Sequence, residues 1–213
     1  EKLFKSEKLL IATGRRANTK SLNVKNLDLK LGTKGEIIVN SYMKANDHIW
    51  AAGDVTGEPM LETVAARKGM IAANNALSER KIEMNYNVIP HAIFTNPQIG
   101  SVGLTDEQAN NEGYVCNCRT IPFELVPKAG IIKEGKGAIK VVINNETEEI
   151  LGIHILSHDA ADLIHEGVMI LRNKMKLDEV INTIHVFPTL SEGIKLACQS
   201  FKRDITKMSC CIE

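Results

Sequence analysis

Residues 48–54 read His48-Ile-Trp-Ala-Ala-Gly-Asp54, an apolar run that ends on a glycine and then a carboxylate. The run predicts a short strand, with Gly53 turning the chain and Asp54 presented at the strand's C-terminal end. Open α/β sheets place ligands at that end, where a carboxylate can accept hydrogen bonds from sugar-like hydroxyls. Downstream, Leu61-Glu-Thr-Val-Ala-Ala66 opens an Ala-rich, proline-free stretch that predicts a helix from about Glu62 to Leu77. The first N–H groups and dipole of such a helix suit an anion or an electron-rich ring edge. Read alone, Gly53-Asp54 also fits a plain strand-turn-helix with Asp54 as a cap. Upstream, Lys8-Leu-Leu-Ile-Ala-Thr-Gly14 predicts a buried strand ending in a glycine turn, and Gly35-Glu-Ile-Ile-Val-Asn40 a second short strand.

Residues near 79–89 are polar and poorly periodic, so the organisation expected is one domain over 1–84 and another over 85–213. From Pro90 the pattern changes. Strands are predicted at His91–Phe94, Val115–Phe123, Gly137–Ile143 and Ile150–Leu156, the last two joined by the turn-rich Asn144-Asn145-Glu146-Thr147. Helices are predicted from an N-cap at Thr105 to Asn111, at 159–173, at 177–183 and at 191–202. The second domain therefore reads as α+β, an antiparallel sheet with helices on one side, following the end of an α/β domain.

Lys+Arg and Asp+Glu balance at 26 each, which removes a nucleic-acid or membrane-surface partner from the expectations. Aromatics at 4% disfavour a base-stacking surface. Neither a bilayer-length apolar run nor a signal-peptide pattern is read in the chain. Five cysteines, an odd number, argue against a secreted disulfide framework and for a reducing cytoplasm.

Cys210 and Cys211 stand side by side, followed only by Ile212 and Glu213. Adjacent cysteines close only a small, strained disulfide ring. As thiolates they make a good clamp for a soft metal ion. Cys116-Asn-Cys118 places two thiols on one face of a predicted strand, either as a second metal site or, more simply, as a partly buried pair. Cys198 lies on an apolar helix face and reads as core. His154, His158 and His165 lack a ligand spacing and read as surface or capping residues. The apolar stretch Leu163–Leu171 reads as core or interface.

The order of these motifs carries a resemblance. Ala12-Thr13-Gly14-Arg15-Arg16-Ala17-Asn18, Ala51-Ala52-Gly53-Asp54, Phe94-Thr95-Asn96-Pro97 with Ser101-Val102-Gly103, and His185-Val-Phe-Pro-Thr-Leu-Ser-Glu192 together resemble the C-terminal half of the FAD-dependent pyridine nucleotide–disulfide oxidoreductases. The resemblance implies the end of the FAD/NAD(P)-binding domains followed by a dimerisation domain. It implies that Asp54 binds the ribityl chain of FAD and that the helix opening at Glu62 offers a backbone amide to the flavin ring. NADPH is implied as electron donor and a homodimer as the assembly. No Gly-x-Gly-x-x-Gly and no Cys-x-x-x-x-Cys is present, and in that family both lie upstream. The chain is accordingly expected to be the C-terminal part of a longer enzyme and inactive alone.

One departure narrows the expectation. Disulfide reductases of the family carry His-x-His-Pro-x-x-x-Glu, whose second His, paired with the Glu, protonates a leaving thiolate. Here Phe187 stands at that position, Glu192 is left without its imidazole, and His185 matches the other, non-catalytic His. Mercuric reductases are similar in both oddities: they replace that His, usually with Tyr, and end in a Cys-Cys pair. The resemblance then implies reduction of Hg(II) to Hg(0), with Cys210 and Cys211 taking Hg(II) from small thiols and delivering it to the partner subunit's buried dithiol. The alternatives are a disulfide reductase resembling dihydrolipoyl dehydrogenase, or a non-catalytic dimerising, metal-binding module.

Overall fold

In the computed structural model, which describes residues 2–207, the longest regular element is the helix α1 (Glu62–Leu77). Its buried residues Val64, Lys68, Ile71 and Asn75 recur at the three-and-four spacing of one helix face. Asn75 fastens that face to its surroundings. Its Nδ2 donates to the carbonyls of Tyr42 (3.0 Å) and Ile82 (2.7 Å), and its Oδ1 accepts from the Ile82 amide (2.8 Å). α1 belongs to the first of two compact units, which ends at Met84.

The strands predicted in this unit are corrected by the structure. Residues 48–54 form no ladder strand. Lys44 and Trp50 make an isolated antiparallel bridge, Ala51 donates to the Met43 carbonyl, and the segment is one arm of a tight hairpin. Residues 35–40 likewise contribute only a bridge, Leu31 to Ile37. The stretch from Lys8 to Gly14 has no regular structure, and Leu9, Leu10 and Ile11 are exposed rather than buried. The physical reason is common to all three. A strand takes its hydrogen bonds from a neighbour, and no described segment forms a ladder with any of them.

The unit that begins at Asn85 is built on a five-stranded antiparallel sheet in the order β1-β2-β5-β4-β3. The strands are β1 (His91–Ile93), β2 (Gln98–Gly103), β3 (Cys116–Pro122), β4 (Ala138–Asn144) and β5 (Ile150–Ser157). The remaining helices are α2 (Asp106–Asn111), α3 (Pro127–Ile132), α4 (Ala160–Arg172), α5 (Leu177–Ile181) and α6 (Glu192–Gln199). The β4–β5 pairing is the predicted one, matching Ile139 with Ile155 and Val141 with Ile153. Period-two alternation sends these side chains to one face, where they join Val102, Ile121, Ile164 and Ile194 in the main core with α4 and α6. A register shift between Val142 and Ile143 leaves Leu151 without an opposite residue and turns it to the other face.

That other face is also covered, which corrects the expectation of helices on one side. α2 lays Ala109 over Val142 and Leu151, beside Cys116 and Cys118. Its N-terminus is fixed by the predicted cap: the Gln108 amide donates to Thr105 Oγ1 at 3.2 Å and the Thr105 amide to Gln108 Oε1 at 2.9 Å. β2 and α3 were not legible as elements. No helix among the described residues is long and apolar enough to cross a membrane.

Gly100 of β2 sets the approach of α4 to the sheet, since a Cβ there would lie 2.3 Å from the Ala160 carbonyl oxygen and 3.0 Å from Ile164 Cβ. Gly100→Ala is therefore expected to cost about 2–3 kcal/mol, the scale of an overpacked core. Urea unfolding of the variant beside the parent chain checks this, and an unchanged midpoint would show that α4 can shift freely.

Candidate functional site

Of the candidate site residues of the first unit, Asp54 lies on a tight turn and Glu62 opens the helix that follows it. Gly53–Thr56 forms a single 3-10 turn between the hairpin and α1, and Gly53 takes φ +81°, a conformation that only glycine adopts at low cost. The motifs at 12–18 and 51–54 come together here. Arg15 Nη1 donates to Asp54 Oδ2 at 2.9 Å, and Arg15 Nη2 to the Met60 carbonyl. Both side chains of the ion pair are about half exposed or more, so it orients Asp54 while adding little stability.

Beneath the turn lies Lys68, buried on the α1 stripe. Burial pushes its ammonium pKa down, partly offset by the Asp54 carboxylate. Glu62 opens α1 and is exposed; the N-cap residue Leu61 offers no side-chain acceptor, so the first-turn N–H groups of α1 carry no side-chain cap. A half-exposed carboxylate beside uncapped helix N–H donors is a donor set that fits a polyol chain joined to an electron-rich ring, as a flavin presents.

In the second unit, the segment between α5 and α6 carries the other singled-out residues. His185 is nearly buried, with Nε2 2.8 Å from Glu166 Oε1 and Nδ1 3.0 Å from the Thr183 carbonyl. Both neighbours are acceptors, so both ring nitrogens act as donors, and the Glu166 carboxylate raises the His185 pKa above its usual value. An imidazole whose two nitrogens both face acceptors offers no free lone pair while it holds both protons. Phe187 is half exposed and brings no polar atom. The Glu192 carboxyl lies at the start of α6 with Oε2 buried and without a hydrogen-bond partner, and burial pushes its pKa up.

The cysteines separate. Cys210 and Cys211 lie outside the described residues. Cys198 is fully buried in the main core, its thiol pushed up to about 12 by burial, and is inert there. Cys116 and Cys118 share one face of β3, as their spacing predicts; Cys116 Sγ donates to Asn110 Oδ1 at 3.3 Å. Among the described residues no group of three or more His, Cys, Asp or Glu is placed to hold a metal ion. His154 departs from its surface reading. It is half-buried, Ser101 Oγ lies 2.5 Å from its Nδ1, and its Nε2 faces the Leu104 carbonyl at 3.1 Å. His158 pairs with Asp159, and His165 is exposed.

Arg15 was legible only as part of a motif, and Glu166 and Lys68 not at all, although a cation among the buried positions of α1 is a signal that could have marked Lys68.

Residues 1–69 match the pyridine nucleotide-disulphide oxidoreductase model, and residues 89–198 its dimerisation domain. A mercuric reductase of Staphylococcus aureus is 38% identical over 99% of the chain, and one of Lysinibacillus sphaericus is 38% identical over 98%. The chain spans about two fifths of the length of each. Among solved structures, LpdA of Mycobacterium tuberculosis superposes with TM-score 0.79 at 25% identity, covering 88% of this chain and 41% of that one. The HOCl-induced flavoprotein disulfide reductase RclA of Escherichia coli gives 0.79 at 27%, covering 90% and 44%.

The His185–Glu166 pair has a signed consequence for stability. Its folded-state pKa lies above the unfolded value of about 6.5, so the stabilisation is complete below pH 6.5 and fades as pH rises through the folded value. Glu166→Gln is expected to lower the His185 pKa and to cost about 1.5–3 kcal/mol at acidic pH. NMR titration of the imidazole with denaturant unfolding at two pH values checks both. Glu192, whose pKa is also raised, has the same pH sign, stability falling as pH rises, but its substitution predicts the opposite effect. Glu192→Gln removes the charge from a carboxyl with one buried oxygen that has no hydrogen-bond partner among the described residues, so unfolding at pH 8 is expected to show equal or higher stability, and a marked loss would reveal a partner for that oxygen.

Proposed function

This chain belongs to the pyridine nucleotide-disulphide oxidoreductase family, and from that premise we propose that the whole protein is a homodimeric mercuric reductase dependent on FAD and NADPH. The net reaction moves two electrons. NADPH becomes NADP+ with release of one proton, and Hg(II), the substrate, accepts the electron pair and leaves as Hg(0). A bound FAD supplies the two-electron relay between nicotinamide and metal. Asp54 accepts hydrogen bonds from the ribityl hydroxyls, held in aim by Arg15, and the α1 N-terminus at Glu62 directs backbone N–H groups at the ring edge. Cys210 and Cys211 take Hg(II) from small thiols and pass it to the partner subunit's dithiol by exchange of thiolate ligands.

The observation that carries this reading is Phe187. Reduction of a disulfide asks for a proton at the departing thiolate, and a phenyl ring supplies none. Glu192 remains with a buried oxygen that has no hydrogen-bond partner among the described residues. Reduction of Hg(II) asks for electrons and soft ligands and no such proton. The names of the relatives, mercuric reductases at 38% identity along the whole chain, point the same way. A disulfide reductase is the second reading, favoured by the backbone likeness to RclA.

The test follows NADPH oxidation by the full-length protein with Hg(II) and excess thiol, beside oxidised lipoamide and oxidised glutathione. Turnover is expected with Hg(II) alone. It should fall about tenfold or more in the Cys210→Ala/Cys211→Ala variant, the scale on which groups that manage a metal matter. Turnover with a disulfide and none with Hg(II) would overturn the proposal in favour of the second reading.

A further inference from the structure

Lys68 is one of the largest fully buried side chains of the protein, 1% exposed, on the α1 stripe between Val64 and Ile71. Packing alone would put a leucine or methionine there, because taking an ammonium out of water costs several kcal/mol before any partner repays it. The partners identify what the lysine does. Nζ donates to Thr56 Oγ1 at 3.0 Å and to the Gly57 carbonyl at 3.4 Å. Thr56 Oγ1 in turn donates to the Gly53 carbonyl at 2.8 Å. The chain of donors therefore runs from Lys68 through Thr56 to the peptide group that joins Gly53 to Asp54.

That peptide is the one the site depends on. A four-residue 3-10 turn has poor hydrogen-bond geometry of its own and is easily remodelled. On its solvent side Asp54 is held by Arg15, an exposed pair that salt screens and a ligand hydroxyl can displace. On its buried side the turn is fixed by Lys68, where low dielectric strengthens a charge-assisted bond and polarises the next one in the chain.

We propose that Lys68 is a positioning residue for the flavin: acting through Thr56, it locks the Gly53–Thr56 turn in the shape that aims Asp54 at the ribityl chain. The proposal rests on the reading of Asp54 as a flavin contact, and its test separates the two.

The experiment uses the full-length protein, freed of flavin and titrated with FAD, with fluorescence quenching read as the dissociation constant and the unfolding midpoint of each apoprotein measured alongside. Lys68→Met keeps the volume and loses the donor; it is expected to weaken FAD binding about tenfold or more, as loss of a charge-assisted hydrogen bond implies. Lys68→Gln retains a donor without the charge and is expected to lose about two- to fivefold. Asp54→Ala is expected to lose at least as much as Lys68→Met. Because Lys68 acts through Asp54, adding Lys68→Met to Asp54→Ala should weaken binding no further.

FAD affinity within twofold of the parent in Lys68→Met, or a full tenfold loss that persists in the Asp54→Ala background, would overturn the positioning role. FAD affinity unchanged in Asp54→Ala would instead overturn the reading of Asp54, and the proposal with it. If Lys68→Met does not fold, the cycle of Lys68→Gln with Asp54→Ala decides on the same terms.

Discussion

A β-strand is only half a structure, because its amide and carbonyl groups must be answered by a neighbour. In the second unit the three inner strands of the sheet meet that requirement on both sides. β5 is hydrogen-bonded on both sides, by β2 and β4, and its Ile153 and Ile155 meet Val102, Val141 and Ile139 across the same face. Everything else in that unit is placed by this pairing. α4 lies on β2 and β5, α6 on β3 and β4, and the segment carrying His185, Phe187 and Glu192 runs into α6. In the first unit the same kind of apolar sequence goes unanswered. Leu9, Leu10 and Ile11 have strand composition and lie exposed. What is ordered there depends on contacts made across sequence by side chains, chiefly Asn75 and Lys68 of α1.

This difference explains how much could be read in advance. α1, β4, β5 and the Thr105 cap are encoded locally, by alanine content, alternation and a Thr three residues before Gln108. β2 escaped because Gly100 and Gly103 lower strand propensity, and Gly100 is there for an α4 backbone contact no local rule contains. α3 escaped because six residues opened by a proline give almost no periodic signal. The candidate site divides in the same way. Asp54 and Phe187 were legible from motif order. Glu166, nineteen residues from the histidine it charges, was not, since its role exists only once α4 has docked.

The two ends of the chemistry are also held differently. Asp54 is constrained from both sides, by an exposed arginine and by a buried lysine acting through a threonine. A carboxylate with the binding role proposed for Asp54 must keep one geometry, and two opposed restraints achieve that in a turn too short to do so alone. Glu192 has no such framework. One of its oxygens is buried with no donor, a cost that a paired imidazole at position 187 would offset.

The Phe187 position shows why such a change is tolerated. It is half exposed, in a segment where Ile184 and Val186 are also exposed, and outside both apolar clusters that hold the sheet. His185, two residues earlier, is fastened to Glu166 and the Thr183 carbonyl whatever residue follows. Replacing the proton donor therefore disturbs neither the sheet nor the anchor of the segment. On the proposed reading it alters one property, the availability of a proton for a departing thiolate, and leaves the scaffold intact. The physical separation of that position from the sheet is what allows one backbone to serve disulfide chemistry in some members of the family and, on the reading proposed for this chain, metal reduction here.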